Sequence, residues 1–117
     1  MVAVGSDALA TVLASFERGE LAGVVDRFAP DAVYHEPRKP PIRGRDAIAA
    51  EFARFAATGV PFRMHVDDVI ENASGACVVY RFAVRGGEDG AWRERAGCAV
   101  VRLDDRGQIA EWREYEG

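Results

Sequence analysis

Three prolines in the segment 34–48 divide this sequence into two parts with different periodicities. Pro37, Pro40 and Pro41 exclude a regular helix and a central strand there, because proline lacks a backbone N–H and fixes φ. Asp46 follows, where a carboxylate would stabilise the first turn of a new helix. The segment therefore predicts an ordered loop that joins a helical first third to a strand-rich remainder.

The first third of the sequence has the period of amphipathic helices. Ser6 or Asp7 can cap a first helix, which Gly19 would end. A second helix is predicted for residues 20–30, where a proline stops it, and a third for residues 45–58. Their apolar residues recur at intervals of three and four: Leu9, Val12, Leu13 and Phe16; Leu21, Val24, Val25 and Phe28; Ile48, Phe52 and Phe55. The pattern predicts three N-terminal helices that each bury one face.

From Phe62 the period changes to two, which is typical of strands with one buried face. Clusters rich in Gly, Asn and Asp would turn the chain between these strands. Strands are predicted for residues 32–36, 62–70, 76–85, 92–103 and 109–115. We expect an α+β fold in which the three helices pack in the concave face of a curved, mostly antiparallel sheet. A pocket would remain between helices and sheet.

The predicted strand 76–85 is apolar on both faces. One row consists of Val78, Tyr80, Phe82 and Val84, and the other of Cys77, Val79, Arg81 and Ala83. A strand of this kind is covered on both sides. We assign the row with Arg81 to the pocket and the other row to a second copy of the chain, which predicts a homodimer. Because an arginine in that position needs a counter-charge or a ligand, Arg81 is a candidate site residue.

Composition limits the class of protein and its partners. The 117 residues suffice for one domain, 1–117, and a net charge of −4 with a pI near 5.2 argues against a nucleic-acid partner. Cys77 and Cys98 lack a Cys-x-x-Cys spacing, so we interpret them as reduced thiols of a cytoplasmic protein. Neither a leader pattern nor a stretch of about 20 apolar residues indicates a membrane segment. His35 and His65 have no ligand-spaced partner, so no metal or other cofactor is predicted.

Several stretches give the sequence a resemblance to a known family. They are residues 20–25, 28–33, 44–48 and 105–115. With them the chain resembles the nuclear transport factor two-like superfamily and, within it, the SnoaL-like group, over nearly its whole length. The resemblance implies a cystatin-like, cone-shaped α+β barrel. It selects no single activity, because this fold carries isomerases, cyclases, dehydratases, epoxide hydrolases and binding modules.

Limonene epoxide hydrolase is one relative whose site can be compared residue by residue. Without gaps, Tyr34 and Glu36 fall on the Tyr and Asn that hold the water in that enzyme. Arg81 and Glu114 fall on its Arg and on the Asp that acts as base, whereas its other Asp falls on Ala83. Since alanine cannot protonate an epoxide oxygen, the resemblance implies that this chain is not an epoxide hydrolase of the limonene type.

Ketosteroid isomerase gives a second comparison. Its general base is an Asp before a proline, which Glu36 before Pro37 matches. The Tyr and the protonated Asp that bind the enolate oxygen in that enzyme fall on Val12 and Ala99. The resemblance therefore implies a base at Glu36 without this form of oxyanion hole, and it places Val12 and Ala99 beside the ligand.

The residues from both comparisons are expected on one pocket wall. Glu36 or Glu114 would act as general base, with a pKa raised by apolar surroundings, and Arg81 would neutralise charge on a ligand oxygen. Tyr34 would donate a hydrogen bond, and Trp112 would be either core or a wall for a ligand ring. The predicted ligand contacts are Tyr34, Val12, Ala83, Ala99 and Trp112.

Two functions fit the sequence. The first is a cofactor-independent acid–base enzyme, of isomerase, cyclase or hydrolase type, on an apolar ligand that carries a carbonyl, hydroxyl or epoxide oxygen. The second is a non-catalytic dimeric module that binds a ligand or a partner, in which Glu36, Arg81 and Glu114 form a structural ion-pair network. A ligand in contact with Arg81, or a closed network of these three residues, would distinguish the two.

Overall fold

A computed structural model describes residues 2–117. They form two α-helices, a short 3₁₀ turn and six strands. In chain order these are α1 (Asp7–Glu17), the 3₁₀ turn (Val25–Arg27), β1 (Phe28–His35), β2 (Ile42–Arg43), α2 (Arg45–Ala57), β3 (Phe62–Asn72), β4 (Gly75–Arg85), β5 (Trp92–Leu103) and β6 (Ile109–Glu116).

The six strands form one sheet in the order β2-β1-β6-β5-β4-β3. Neighbouring strands run antiparallel except β1 and β6, which are parallel and place Tyr34 opposite Trp112. The register shifts in β3 between Val66 and Asp68, and irregularities of this kind bend a strand. The sheet curves around the helices, so the predicted α+β architecture with a mostly antiparallel sheet is confirmed.

Helices α1 and α2 lie where the sequence predicts them. The Ser6 hydroxyl caps α1, because it accepts a hydrogen bond from the backbone N–H of Leu9 at 3.2 Å. Helix α2 begins after Gly44, whose φ of +92° favours glycine, and carries Asp46 in its first turn. Across residues 2–117, no helix is long and apolar enough to span a membrane.

The helix predicted for residues 20–30 is wrong, so the structure has two helices where three were expected. Only Val25–Arg27 form a 3₁₀ turn there, and β1 begins directly afterwards at Phe28. Gly23 has a φ of +78°, a left-handed conformation that interrupts a right-handed helix. Val24 and Phe28 are nevertheless fully buried. The apolar spacing therefore reflects burial on both sides of a turn.

The two faces of β4 are oriented opposite to the prediction. The row that faces the helices is Val78, Tyr80, Phe82 and Val84. Tyr80 pairs with Val66 of β3, and both side chains are buried. Arg81 lies on the other face, where its guanidinium pairs with Asp67. The row assigned to a second copy is thus covered by the chain's own helices, which removes that argument for a homodimer.

The core lies between the helices and the concave face of the sheet. Its largest fully buried side chains are Trp112, Tyr80, Phe28, Leu9, Ile48 and Ile109. Phe16 of α1 packs edge-on against Trp112 with ring centroids 5.7 Å apart, and Phe52 of α2 does the same against Tyr34 at 5.4 Å. Burial of a large apolar side chain contributes about 1.5–3 kcal/mol. These contacts hold both helices over the sheet, beside a cavity.

Candidate functional site

A cavity of about 490 Å³ lies between the two helices and the concave face. This volume falls in the range of pockets that take small molecules. Six aromatic side chains supply much of its wall: Phe16, Tyr34, Phe52, Phe55, Phe62 and Phe82. Its ionisable side chains are Glu36, Lys39, Glu51, Arg93, Glu94, Arg95, Glu114 and Glu116. The cavity combines an apolar wall with a small number of carboxylates, as ligand sites do.

Glu114 is the most informative of these carboxylates. Period-two alternation along β6 directs Trp112 and Glu114 to the concave face. The Oε2 atom of Glu114 accepts a hydrogen bond from the Tyr34 hydroxyl at 3.0 Å and another from Nε1 of Trp112, also at 3.0 Å. In residues 2–117, no donor bonds its Oε1 atom. One carboxylate oxygen is therefore fixed by the protein, and the other is available to a ligand.

Burial raises the pKa of Glu114 to about 7. The hydrogen bonds from Trp112 and Tyr34 oppose this shift because they stabilise the ionised form, while the charges of Glu36 and Glu116 add to it. A carboxyl group with a pKa close to neutral pH is present in both protonation states under physiological conditions. It can take up a proton and return it, which is the property required of a general acid–base catalyst.

The aromatic rings around Glu114 hold its two donors in place. Tyr34 stacks on Trp112 with ring planes 6° apart and centroids separated by 6.2 Å. Phe52 and Phe16 pack edge-on against this pair. Burial and the charge of Glu114 raise the pKa of Tyr34 well above its ordinary value, so its hydroxyl remains a neutral donor. In the free protein the Tyr34 hydroxyl thus donates its hydrogen bond to Glu114, whereas the sequence-based hypothesis has it donate to a ligand.

Glu36 lies on the wall of the same cavity, as the sequence predicts, but has a counter-charge. It follows the last residue of β1, and its Oε2 atom is 3.1 Å from Nζ of Lys39 in the proline-rich loop. Its side chain is 23% exposed. Glu36 therefore contributes a partly solvated charge, whereas Glu114 lies among aromatic rings without a cation.

Glu116 is a cavity residue that our interpretation of the sequence missed. Its Oε2 atom accepts a hydrogen bond from the Tyr80 hydroxyl at 3.4 Å, and its Oε1 atom lies 3.7 Å from Nη1 of Arg95. Burial, followed by the charge of Glu114, raises the pKa of Tyr80, which keeps this hydroxyl protonated. The signal was present in the sequence, since residues 112, 114 and 116 alternate onto one face of a strand.

Arg81 lies outside the cavity, so the predicted network of Glu36, Arg81 and Glu114 is wrong. Its guanidinium donates two hydrogen bonds to Asp67, at 3.0 and 3.1 Å, and lies 3.7 Å from Glu94. The hydrogen bonds from Arg81 lower the pKa of the Asp67 carboxyl. With 40% of its side chain exposed, Arg81 is a solvated residue of the outer face.

The remaining predicted contacts divide into core and outer face. Val12 and Ala99 are fully buried in the core and do not line the cavity. Ala83 shares the outer face with Arg81, so it does not occupy the place of a missing acid. Trp112 is fully buried, and its indole N–H bonds Glu114. Only Tyr34, Glu36 and Glu114 of the predicted set line the cavity.

No arrangement for a metal ion is found in the described part of the chain, residues 2–117, where no three His, Cys, Asp or Glu side chains converge suitably. That the site operates without a cofactor stays a prediction. The chemistry that these side chains can supply themselves is proton transfer and hydrogen bonding.

Comparison with known proteins identifies relatives of the whole domain. A family model for the SnoaL-like domain matches residues 9–112. A structure of a candidate polyketide cyclase from Xanthomonas campestris pv. campestris is 20% identical, with a TM-score of 0.74 over 94% of this chain and 87% of that one. Bal32a, from a soil-derived mobile gene cassette, is 21% identical, with a TM-score of 0.76 over 94% of this chain and 86% of its own. No curated protein matches the sequence significantly.

Proposed function

The chain belongs to the SnoaL-like domain family, and on that premise we propose that it is a small-molecule acid–base enzyme of isomerase or cyclase type. The ligand is apolar and carries a carbonyl or hydroxyl oxygen. Glu114 acts on it as general base. The observation that supports this proposal is a carboxylate with a pKa of about 7 and an unbonded Oε1 atom inside an aromatic cavity.

In this proposal the ionised Glu114 removes a proton from a carbon next to the ligand carbonyl through its Oε1 atom. Tyr34 and Trp112 hold Oε2 during the transfer, so the carboxylate does not have to reorient. The protonated Glu114 then returns the proton at another position of the ligand. A pKa close to neutral pH makes both transfers accessible to one group.

The proposal changes two roles from the sequence-based hypothesis. Arg81 lies on the outer face, so it does not bind a ligand oxygen. Glu36 has Lys39 as its counter-charge and acts through its electrostatic effect on Glu114. Epoxide opening of the limonene type is not proposed, because that reaction requires an acid beside the leaving oxygen, and among residues 2–117 no Arg–Asp pair like that of the enzyme lines this cavity.

The test uses 5-nitrobenzisoxazole, a neutral aromatic compound with one acidic C–H. A base takes that proton, the C–H electron pair forms the third C–N bond of a nitrile, the N–O bond breaks, and its electron pair leaves on oxygen as a coloured cyano-nitrophenolate. We expect catalysis that increases as Glu114 ionises, with a midpoint near pH 7. Glu114→Gln removes the base and should reduce kcat/KM about a hundredfold or more.

Glu111→Gln is the matched control for this test. It makes the same substitution on the same strand, but residue 111 faces the outer side, where it contacts Arg113. This variant should retain the wild-type rate. Equal rates for wild type and Glu114→Gln would contradict the base assignment and favour the second function, a non-catalytic binding module.

We also propose a homodimer that forms through the outer face of the sheet. Ile70, Val79 and Tyr115 remain 65%, 37% and 50% exposed in the single chain, and Ile70 and Val79 lie on adjacent strands beside Cys77. A second copy would cover this apolar surface. Sedimentation should give a dimer at micromolar concentration and a monomer for Val79→Glu. A wild-type monomer would contradict the proposal.

A cytoplasmic location is proposed from the cysteines. Cys77 and Cys98 are both free thiols, as expected in a reducing compartment. Burial raises the pKa of Cys77, which lowers its thiolate fraction and its reactivity. Localisation of a tagged chain by cell fractionation tests this assignment.

A further inference from the structure

Four of the five carboxylates that line the cavity have a cation from the chain beside them. The pairs are Glu36–Lys39 (3.1 Å), Glu51–Arg54, Glu94–Arg81 (3.7 Å) and Glu116–Arg95 (3.7 Å). The cations of these four pairs are all exposed to solvent. Their charges are therefore compensated without a ligand.

Glu114 is the exception. Within residues 2–117, no Lys, Arg or His lies within ion-pair distance of its carboxylate. Its two hydrogen bonds come from neutral groups, the hydroxyl of Tyr34 and the indole N–H of Trp112, and both reach Oε2. A largely buried carboxylate without a cation is costly to keep ionised. A ligand that brings a positive charge to Oε1 would remove this cost.

The surroundings of Oε1 are suited to such a ligand. The rings of Tyr34, Phe16 and Phe52 line the cavity, and aromatic faces attract cations. The other apolar residues of the wall can hold a ring or an alkyl chain, while its cations Lys39, Arg93 and Arg95 each have a carboxylate of the chain beside them. A negatively charged group in the same place would face Glu114 together with the nearby charges of Glu36 and Glu116, which already disfavour a further negative charge.

We propose that the cavity binds lipophilic amines in their protonated form, with the ammonium at Oε1 of Glu114 and the apolar body among the aromatic rings. This inference names a ligand class for the cavity of the proposed function, and it does not require that the protein catalyses a reaction. The ammonium and the acidic C–H of a substrate compete for the same oxygen atom. Lipophilic amines are therefore competitive inhibitors of any proton transfer by Glu114.

The experiment compares three probes with the same ring system by calorimetry at neutral pH and low salt. They are 1-naphthylmethylamine, 1-naphthylmethanol and 1-naphthoate, which differ in carrying a positive charge, no charge or a negative charge. We expect the amine to bind about tenfold more tightly than the alcohol, because a charge-assisted hydrogen bond is about twice as strong as a neutral one. The naphthoate should bind more weakly than either.

Glu114→Gln replaces the carboxylate by a neutral amide of the same shape and should abolish the preference for the amine while the alcohol still binds. Glu111→Gln, which changes a carboxylate on the outer face of the same strand, should keep the wild-type order. Wild-type binding of naphthoate as tight as that of the amine would overturn the proposal without reference to any variant. An unchanged amine preference in folded Glu114→Gln would do so as well.

The experiments distinguish a failure of the proposed acid–base enzyme from a failure of the proposed amine site. Absence of turnover with 5-nitrobenzisoxazole, together with Glu114-dependent binding of the amine, would contradict the enzyme and support the amine site. Turnover that the amine does not inhibit would support the enzyme and contradict the amine site.

Discussion

The two faces of the sheet carry acidic residues with opposite behaviour. Glu114 on the concave face has two neutral donors, and burial raises its pKa to about 7. Asp67 on the outer face is solvated, and the hydrogen bonds from Arg81 lower its pKa. Both residues lie on long strands of the same sheet, Asp67 on β3 and Glu114 on β6. The difference shows that burial without a cation makes a strand carboxylate a group that exchanges protons near neutral pH, whereas a solvated guanidinium beside it makes it a surface ion pair.

The two tryptophans provide the strongest test of this contrast. Trp112 is fully buried on the concave face, whereas Trp92 is 40% exposed, with the guanidinium of Arg63 over its ring at 4.8 Å. Trp112→Ala should lower the free energy of unfolding by about 3–5 kcal/mol, because it removes a core ring and leaves a cavity. Trp92→Ala should cost about 1 kcal/mol or less. Urea unfolding measures both, and similar costs would contradict the assigned faces.

The pH dependence of stability tests the raised pKa of Glu114. Since this pKa of about 7 lies above the ordinary value of 4.5, the stabilisation by the bound proton is complete below pH 4.5 and is lost as the pH rises through 7. The free energy of unfolding of wild type, relative to Glu114→Gln, should therefore fall by about 3 kcal/mol across that interval. Urea midpoints at a series of pH values measure this difference. Parallel curves would show that Glu114 titrates like a solvated carboxyl.

Tyr34→Phe tests the hydroxyl that holds Glu114. The loss of this hydrogen bond should cost about 1 kcal/mol of stability. It should also raise the pKa of Glu114 further, because the Tyr34 hydrogen bond lowers that pKa. The pH midpoint of 5-nitrobenzisoxazole turnover would then move to a higher value. Tyr115→Phe, half exposed on the outer face, is the control and should leave the midpoint unchanged.

The smallest effect is expected for Arg81→Met on the outer face. Its ion pair with Asp67 is solvated, so the urea midpoint should change little at neutral pH. The sign follows from the lowered pKa of Asp67, whose stabilisation is present above the ordinary value of 3.8 and is lost as the pH falls below it. The small cost of the substitution should therefore disappear in acid. A large cost at neutral pH would place Arg81 in the interior again.

The sequence was sufficient to predict two of the helices, most of the strands and three residues of the site. Prolines and period-two alternation located β1 and β6, and the resemblance to limonene epoxide hydrolase and ketosteroid isomerase pointed to Tyr34, Glu36 and Glu114 there. The orientation of β4 could not be predicted in this way, because both of its rows are apolar enough to be buried. Pairing with the buried residues Met64 and Val66 of β3 decides the orientation, and such pairing is a tertiary property.

The incorrect prediction of a helix at residues 20–30 has a different physical cause. Residues 20–28 repeat apolar side chains at helical intervals, but a periodic pattern records only which side chains are buried. Gly19 immediately before that stretch and Gly23 within it adopt positive φ values of +70° and +78°, so the backbone turns at both places. Glycine disfavours the interior of a helix, so Gly23 already argued against a continuous helix at residues 20–30.

The parallel pairing of β1 with β6 has a consequence for how the chain reaches its folded state. Strand β6 lies between β1 and β5, so it joins the β1–β2 pair to the β3–β5 meander. The hydrogen bond from Tyr34 to Glu114 spans 80 positions of sequence. Closure of such a long loop is slow. During synthesis, β6 leaves the ribosome after the five other strands. Until it inserts, β1 and β5 expose unpaired edges that can recruit other chains, and the acid–base site does not yet exist.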